Sequence, residues 1–304
     1  MQINGVFEGG GVKGIALVGA IAAAEQAGFT FHQLAGTSAG AIVASLLAAG
    51  YDATQLRQLL GSTDFARFTA GTWLHKIRFV GPLVRLLVMQ GLYSAQALED
   101  WIGDCLRAKG VETFADLPPG KLRVIASDLS RGRMLVLPDD LGQYGVEVEH
   151  FSVARAVSMS ARIPFFFDPA RLQNSTIVDG ALLSNFPLWM FDSGDQHVHE
   201  YVPTIGFQLF DRESAQAHVI RGPLSMLKAI FTTMMTAHDR LAIEEGQQFR
   251  IVKIPTLGIG TTQFEVNKRQ RMKLYESGYV ASSAFFRHWD ISTYHKQVYK
   301  RSWK

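Results

Sequence analysis

Five residues, Gly36-Thr37-Ser38-Ala39-Gly40, restrict this chain more than any other stretch. They stand between a run that reads as a strand (31–36) and one that reads as a buried, alanine-rich helix (39–49). In a G-x-S-x-G turn of this kind the serine occupies a strained backbone position and points outward. The glycines two residues away on either side let the flanking segments pass closely. The following helix aims its positive end and free N–H groups at the same spot. The pattern predicts a nucleophile at Ser38; a serine that only caps the helix is the plainer alternative.

The same strand, loop and helix succession occurs just upstream. Residues 3–7 read as a short buried strand, 9–14 as a glycine loop, and 12–27 as a buried helix closed by Gly28. Downstream, 122–127 and 133–137 read as strands around a loop at 128–132. A short helix at 151–160 stops before Pro164, and a strand at 176–178 leads into Asp179. Further strands are expected at 204–210 and 250–254, with helices at 94–106 (Ser94 as N-cap), 223–245 and 268–286. This alternation predicts an α/β fold built on a mostly parallel sheet. Residues 72–93 carry large apolar side chains interrupted by Gly81, Pro82 and Gly91. They read as core helix–turn–helix, or as an apolar cap near a lipid-binding cleft. The basic, polar–aromatic tail reads as a solvated end, with a membrane-surface contact as the sharper alternative.

Composition narrows the class. With 304 residues, 47% hydrophobic and 19% charged, the chain can bury a large core. A net charge of +3 is too small to favour nucleic acid, but suits rest on an anionic bilayer. One cysteine, Cys105, leaves no intramolecular disulfide and no cysteine-based metal site. The apolar runs 15–24 and 39–49 are shorter than the ~20 residues that span a bilayer, and the opening MQINGVF has no secretory character. A cytoplasmic protein with peripheral membrane contact is the expectation. No repeat or linker is visible, so residues 1–304 read as one domain. A variable apolar insertion is expected at about 60–120, and a C-terminal extension at about 220–304.

The loop Gly9-Gly10-Gly11-Val12-Lys13-Gly14 exposes backbone N–H groups to an anion. It would suit the oxyanion formed when Ser38 attacks an ester, or a dinucleotide pyrophosphate. The second ligand calls for an acid near the end of the second strand. Leu34-Ala35-Gly36-Thr37-Ser38 has none, which favours the oxyanion. Lys13 either meets a phosphate head group or sits in solvent. A nucleophilic serine also needs a base. The nine histidines (His32, His75, His150, His197, His199, His218, His238, His288 and His295) have no recognisable context. Asp179, in Val178-Asp179-Gly180-Ala181, ends a predicted strand. Burial would raise its proton affinity toward that of a useful base.

Taken in order, the glycine loop, Gly36-x-Ser38-x-Gly40 and Asp179-Gly180-Ala181 resemble the patatin-like phospholipase family. Ala126-Ser127-Asp128-Leu129, Ala161-Arg162-Ile163-Pro164 and Asn185-Phe186-Pro187 are similar to it as well. The resemblance implies a three-layer α/β/α sandwich and a Ser38–Asp179 dyad without histidine. It also implies an oxyanion hole from the amides of Gly10, Gly11 and Val12, and hydrolysis of fatty acyl esters of phospholipids without a metal or other cofactor.

Overall fold

The computed structural model describes residues 1–69, 90–192, 202–210, 247–260 and 266–302, with a few isolated positions between them. Most of the 72–93 and 223–245 stretches, with His75, His197, His199, His218 and His238, lie outside the described residues. In chain order the elements begin β1 (Gln2–Phe7), α1 (Gly14–Gln26), β2 (Thr30–Thr37), α2 (Ala39–Ala48) and α3 (Ala53–Ser62). There follow β3 (Gly91–Tyr93), α4 (Gln96–Arg107), β4 (Leu122–Asp128), β5 (Arg133–Leu137), α5 (Val153–Ser160), β6 (Phe165–Phe167), β7 (Ala170–Leu172) and β8 (Ser175–Asp179). The remainder is β9 (Thr204–Phe210), β10 (Ile251–Pro255), α6 (Lys268–His288) and α7 (Ile291–Ser302).

The main sheet has the order β10-β9-β1-β2-β4-β8-β7, with β5 on β4. The five strands from β10 to β4 are mutually parallel. β5 and β8 run against β4. This is the mixed but mostly parallel sheet of a three-layer α/β/α fold. Alternation along the buried strands supplies both faces. Ile3, Phe7 and Leu34 join the large cluster that holds α1 to α6. Val6 and Ala35 point the other way, onto Phe186, Leu188 and Phe191. Because α1 and α2 are buried almost all round, they lack the polar face of a surface helix. α3, absent from the sequence reading, has one: it buries Ala53, Leu56 and Leu60 and starts with a capping box between Asp52 and Gln55.

Three local expectations are corrected. α1 begins at Gly14, not at Val12, because Gly11–Lys13 form a 3-10 turn in which Gly11 has φ +56°. α4 begins at Gln96 with Ala95 at its N-cap, and Ser94 Oγ accepts from Gln96 N–H at 3.3 Å. Asp168 Oδ1 caps the same end by accepting from Ala95 N–H at 2.8 Å. The tail is not simply solvated: Tyr294 in α7 is fully buried, and its hydroxyl accepts from Thr204 N–H at 2.9 Å. That bond ties α7 to the start of β9.

Candidate active site

The register of β4 brings the site together. β5 occupies one edge of β4, opposite Val124 through Asp128. On the other edge β2 runs upward, with Thr37 opposite Ile125. β8 comes down the same edge from the opposite direction and ends with Asp179 opposite Ala126. Two strands therefore meet head-on, the residue after one being Ser38 and the last of the other being Asp179. They meet at the carboxyl ends of the parallel strands, where open α/β sheets hold their ligands.

Ser38 has φ 54° and ψ −122°, a left-handed backbone that costs a non-glycine residue about 1–3 kcal/mol. Its neighbours hold it there. A Cβ on Gly36 would lie 2.5 Å from the Gly40 carbonyl, and one on Gly40 would lie 2.2 Å from the Phe7 carbonyl oxygen. Only glycines let the turn close on itself and on β1. Thr37 Oγ1 donates to the Ser184 carbonyl at 2.9 Å, and Ser38 N–H donates to Ser160 Oγ at 2.8 Å. α2 starts immediately after Ser38, so its positive end faces the serine.

The glycine loop leaves the top of β1 beside this turn. Gly9 N–H donates to the Asn185 carbonyl at 3.1 Å, and Lys13 N–H to the Gly10 carbonyl at 3.2 Å. Gly14 packs toward Ala39, and the Lys13 side chain folds back near Gly10. Among the described residues, the N–H groups of Gly10, Gly11 and Val12 donate to no acceptor. Glu8, buried at the root of the loop, accepts from Leu209 N–H and pins the loop to β9.

Asp179 is buried, and burial pushes its carboxyl up to about 7. A bond from Ala181 N–H to Oδ1 at 2.9 Å and the nearby Ser38 side chain work against that rise. Among the described residues, Asp179 Oδ2 has no hydrogen-bond partner. Gly180, next in the chain, lies against the Ile125 carbonyl with no room for a Cβ.

Other stretches noted in the sequence have supporting roles. Asp128 resists protonation despite burial, because Tyr144, Ser175 and the Arg131 and Ser130 amides hydrogen-bond to it. It shapes the β4–β5 hairpin. Arg162 bonds Glu99 and Asp168 through its guanidinium, and its carbonyl accepts from Asp179 N–H at 2.9 Å. The described histidines lie elsewhere. His32 is on the first half of β2, six residues or about 20 Å from Ser38. His150 pairs with Glu147, and His288 and His295 belong to α6 and α7. Ser160 and Ser184 were not singled out from sequence, and Asn185 only as part of a short motif. A hydroxyl or amide that acts through the backbone leaves no spacing signal.

Residues 5–192 match the family described as Patatin-like phospholipase. The chain is 41% identical to the uncharacterized protein YqhO of Bacillus subtilis over 298 residues, covering 95% of this chain and 99% of that protein. The uncharacterized protein R571 of Acanthamoeba polyphaga mimivirus is 24% identical over 195 residues, covering 62% of this chain and 61% of its own. Among solved structures, VipD from Legionella pneumophila has a similar fold. The TM-score is 0.58 over 94% of this chain and 67% of VipD, at 16% identity.

Proposed function

The chain belongs to the patatin-like phospholipase family and is a lipid acyl hydrolase, and on that premise we propose that Ser38 and Asp179 form its catalytic dyad, acting on phospholipids. The observation that carries this reading is the head-on meeting of β2 and β8, which sets a strained serine beside a buried carboxylate. Asp179 accepts the Ser38 hydroxyl proton as Oγ attacks the acyl carbonyl. The free amides of Gly10, Gly11 and Val12 and the positive end of α2 take up the oxyanion. The proton then passes to the departing lysolipid or alcohol. Water, activated by the same carboxylate, releases the fatty acid. No step calls on a metal or cofactor, and the chain acts as one domain.

Lipid reaches the site from a bilayer surface in this account. No described helix is long and apolar enough to cross a membrane. Leu129, Phe210 and Leu257 are about half exposed. They follow or end β4, β9 and β10 at the carboxyl end of the sheet, where Ser38 also stands. Exposed apolar side chains around a catalytic mouth favour interfacial contact.

The purified protein should release fatty acid from phosphatidylglycerol vesicles in excess EDTA and float with them in a density gradient. The pair Phe210→Asp and Leu257→Asp should lose flotation and vesicle hydrolysis, and keep hydrolysis of a soluble short-chain ester. Flotation unchanged in the pair would remove the docking face. Absence of release from vesicles and from the soluble ester alike would remove the hydrolase mechanism.

A further inference from the structure

The nucleophile turn is braced from beneath by a side chain that no motif contains. Ser160, the last residue of α5, is fully buried. Its hydroxyl accepts from Ser38 N–H at 2.8 Å and donates to the Ile125 carbonyl at 2.5 Å. Ile125 is the β4 residue opposite Thr37, and its carbonyl is also the atom against which Gly180 packs. One hydroxyl thus connects the strained backbone of Ser38 to the strand position that seats the Asp179-Gly180 turn.

We infer that Ser160 is a positioning residue, which fixes Ser38 at the distance and angle from Asp179 that proton transfer requires. The inference rests on the reading of Ser38 as nucleophile. Its physical basis is the cost of the Ser38 conformation. A strained φ persists only where surrounding bonds over-determine it. Engaging the Ser38 amide removes one freedom from the turn, and donation to Ile125 refers that constraint to β4. The bond also assigns the Ser38 N–H to structure, which leaves the oxyanion to the glycine loop and the start of α2.

The same helix supplies a matched control. Ser158 is equally buried, and its hydroxyl has no hydrogen-bond partner among the described residues. Ser158→Ala removes a buried hydroxyl that braces nothing, so its kcat should stay within about twofold of wild type. Ser160→Ala should lower kcat about 10- to 100-fold per fluorophosphonate-titrated site, because displacement of a reacting group by about 1 Å costs on that order. KM should change by less than about twofold. The acid limb of its pH–rate profile should move to higher pH, because the Ser38 contact that opposes protonation of Asp179 is loosened.

A merely structural serine would lower thermal stability and leave kcat per site and the acid limb in place. That result in Ser160→Ala, or equal behaviour of the two alanine variants, overturns the inference. Should Ser160→Ala not fold, Ser160→Cys decides, since a thiol keeps a weak donor and a weak acceptor. An intermediate kcat at unchanged KM supports the brace, and a wild-type kcat overturns it. Ser38→Ala, measured alongside, separates the two levels. If it keeps activity, the nucleophile reading falls and the brace with it. If it is inactive while Ser160→Ala is fully active, only the brace falls.

Discussion

Ser38→Ala should abolish fatty-acid release, with a fall in kcat of at least about 10⁴-fold, on the scale of losing a catalytic nucleophile elsewhere. The size of the effect follows from how little remains once the hydroxyl is gone. Asp179 would still be a buried base and the three loop amides would still face an anion. Neither can form the acyl intermediate that divides the reaction into two easier steps. The variant should be at least as stable as wild type. Its backbone demands the same left-handed φ of 54°, and the bonds that hold this conformation run through the Ser38 amide and Thr37 Oγ1, not through the Ser38 hydroxyl. Release of fatty acid, followed by titration or mass spectrometry with the folded fraction checked, measures this. Activity within tenfold of wild type would exclude Ser38 as nucleophile.

Asp179→Asn should also cut turnover severely, by about 10²- to 10⁴-fold, because general base catalysis contributes on that scale. It should at the same time make the protein more stable at neutral pH. The sign follows from linkage. Burial raises the Asp179 pKa from 3.8 to about 7, so the folded state holds this proton more tightly than the unfolded state. Stability from the protonated carboxyl is fully present below pH 4 and is lost as pH rises through 7. The whole shift corresponds to about 4 kcal/mol at most. An asparagine keeps an oxygen for Ala181 N–H and carries no charge. The variant should therefore match wild type near pH 4 and exceed it above pH 7, by about 5 °C in Tm. An equal Tm difference at both pH values would mean that Asp179 does not carry this cost. Alanine at His32, His150, His288 or His295 should leave turnover within about twofold; a large loss at any of them would place the base elsewhere.

The turn at Ser38 and the glycine loop were legible in the sequence because their geometry is local. A strained turn requires glycines at fixed offsets, and a loop of free amides requires consecutive residues without side chains. Most of the sheet was legible for a similar reason: buried parallel strands are short, unbroken apolar runs, and β5 and β9 matched their expected bounds. What joins the site is not local. The meeting of β2 and β8 on one edge of β4 depends on register, and no residue of either strand encodes its partner. Ser160 was hidden because its hydroxyl works through the amide of another residue, in a helix with nothing unusual about its spacing. Tyr294 was hidden by its setting. A tyrosine among basic and polar residues reads as exposed, yet it is buried between Phe249, Trp289 and the start of β9. The α1 boundary was misplaced because the 3-10 turn that follows the positive φ of Gly11 delays the regular helix to Gly14, two residues after the apolar pattern begins at Val12.

The measurement that bears most directly on the dyad is the site and rate of labelling by a fluorophosphonate, which captures a serine only when its proton is being removed. Peptide mapping should find the adduct on Ser38 alone. The labelling rate should rise with pH through about 7, the value that burial gives Asp179, and should collapse in Asp179→Asn. An adduct on another residue, or rapid labelling of Ser38 in Asp179→Asn, would contradict the account.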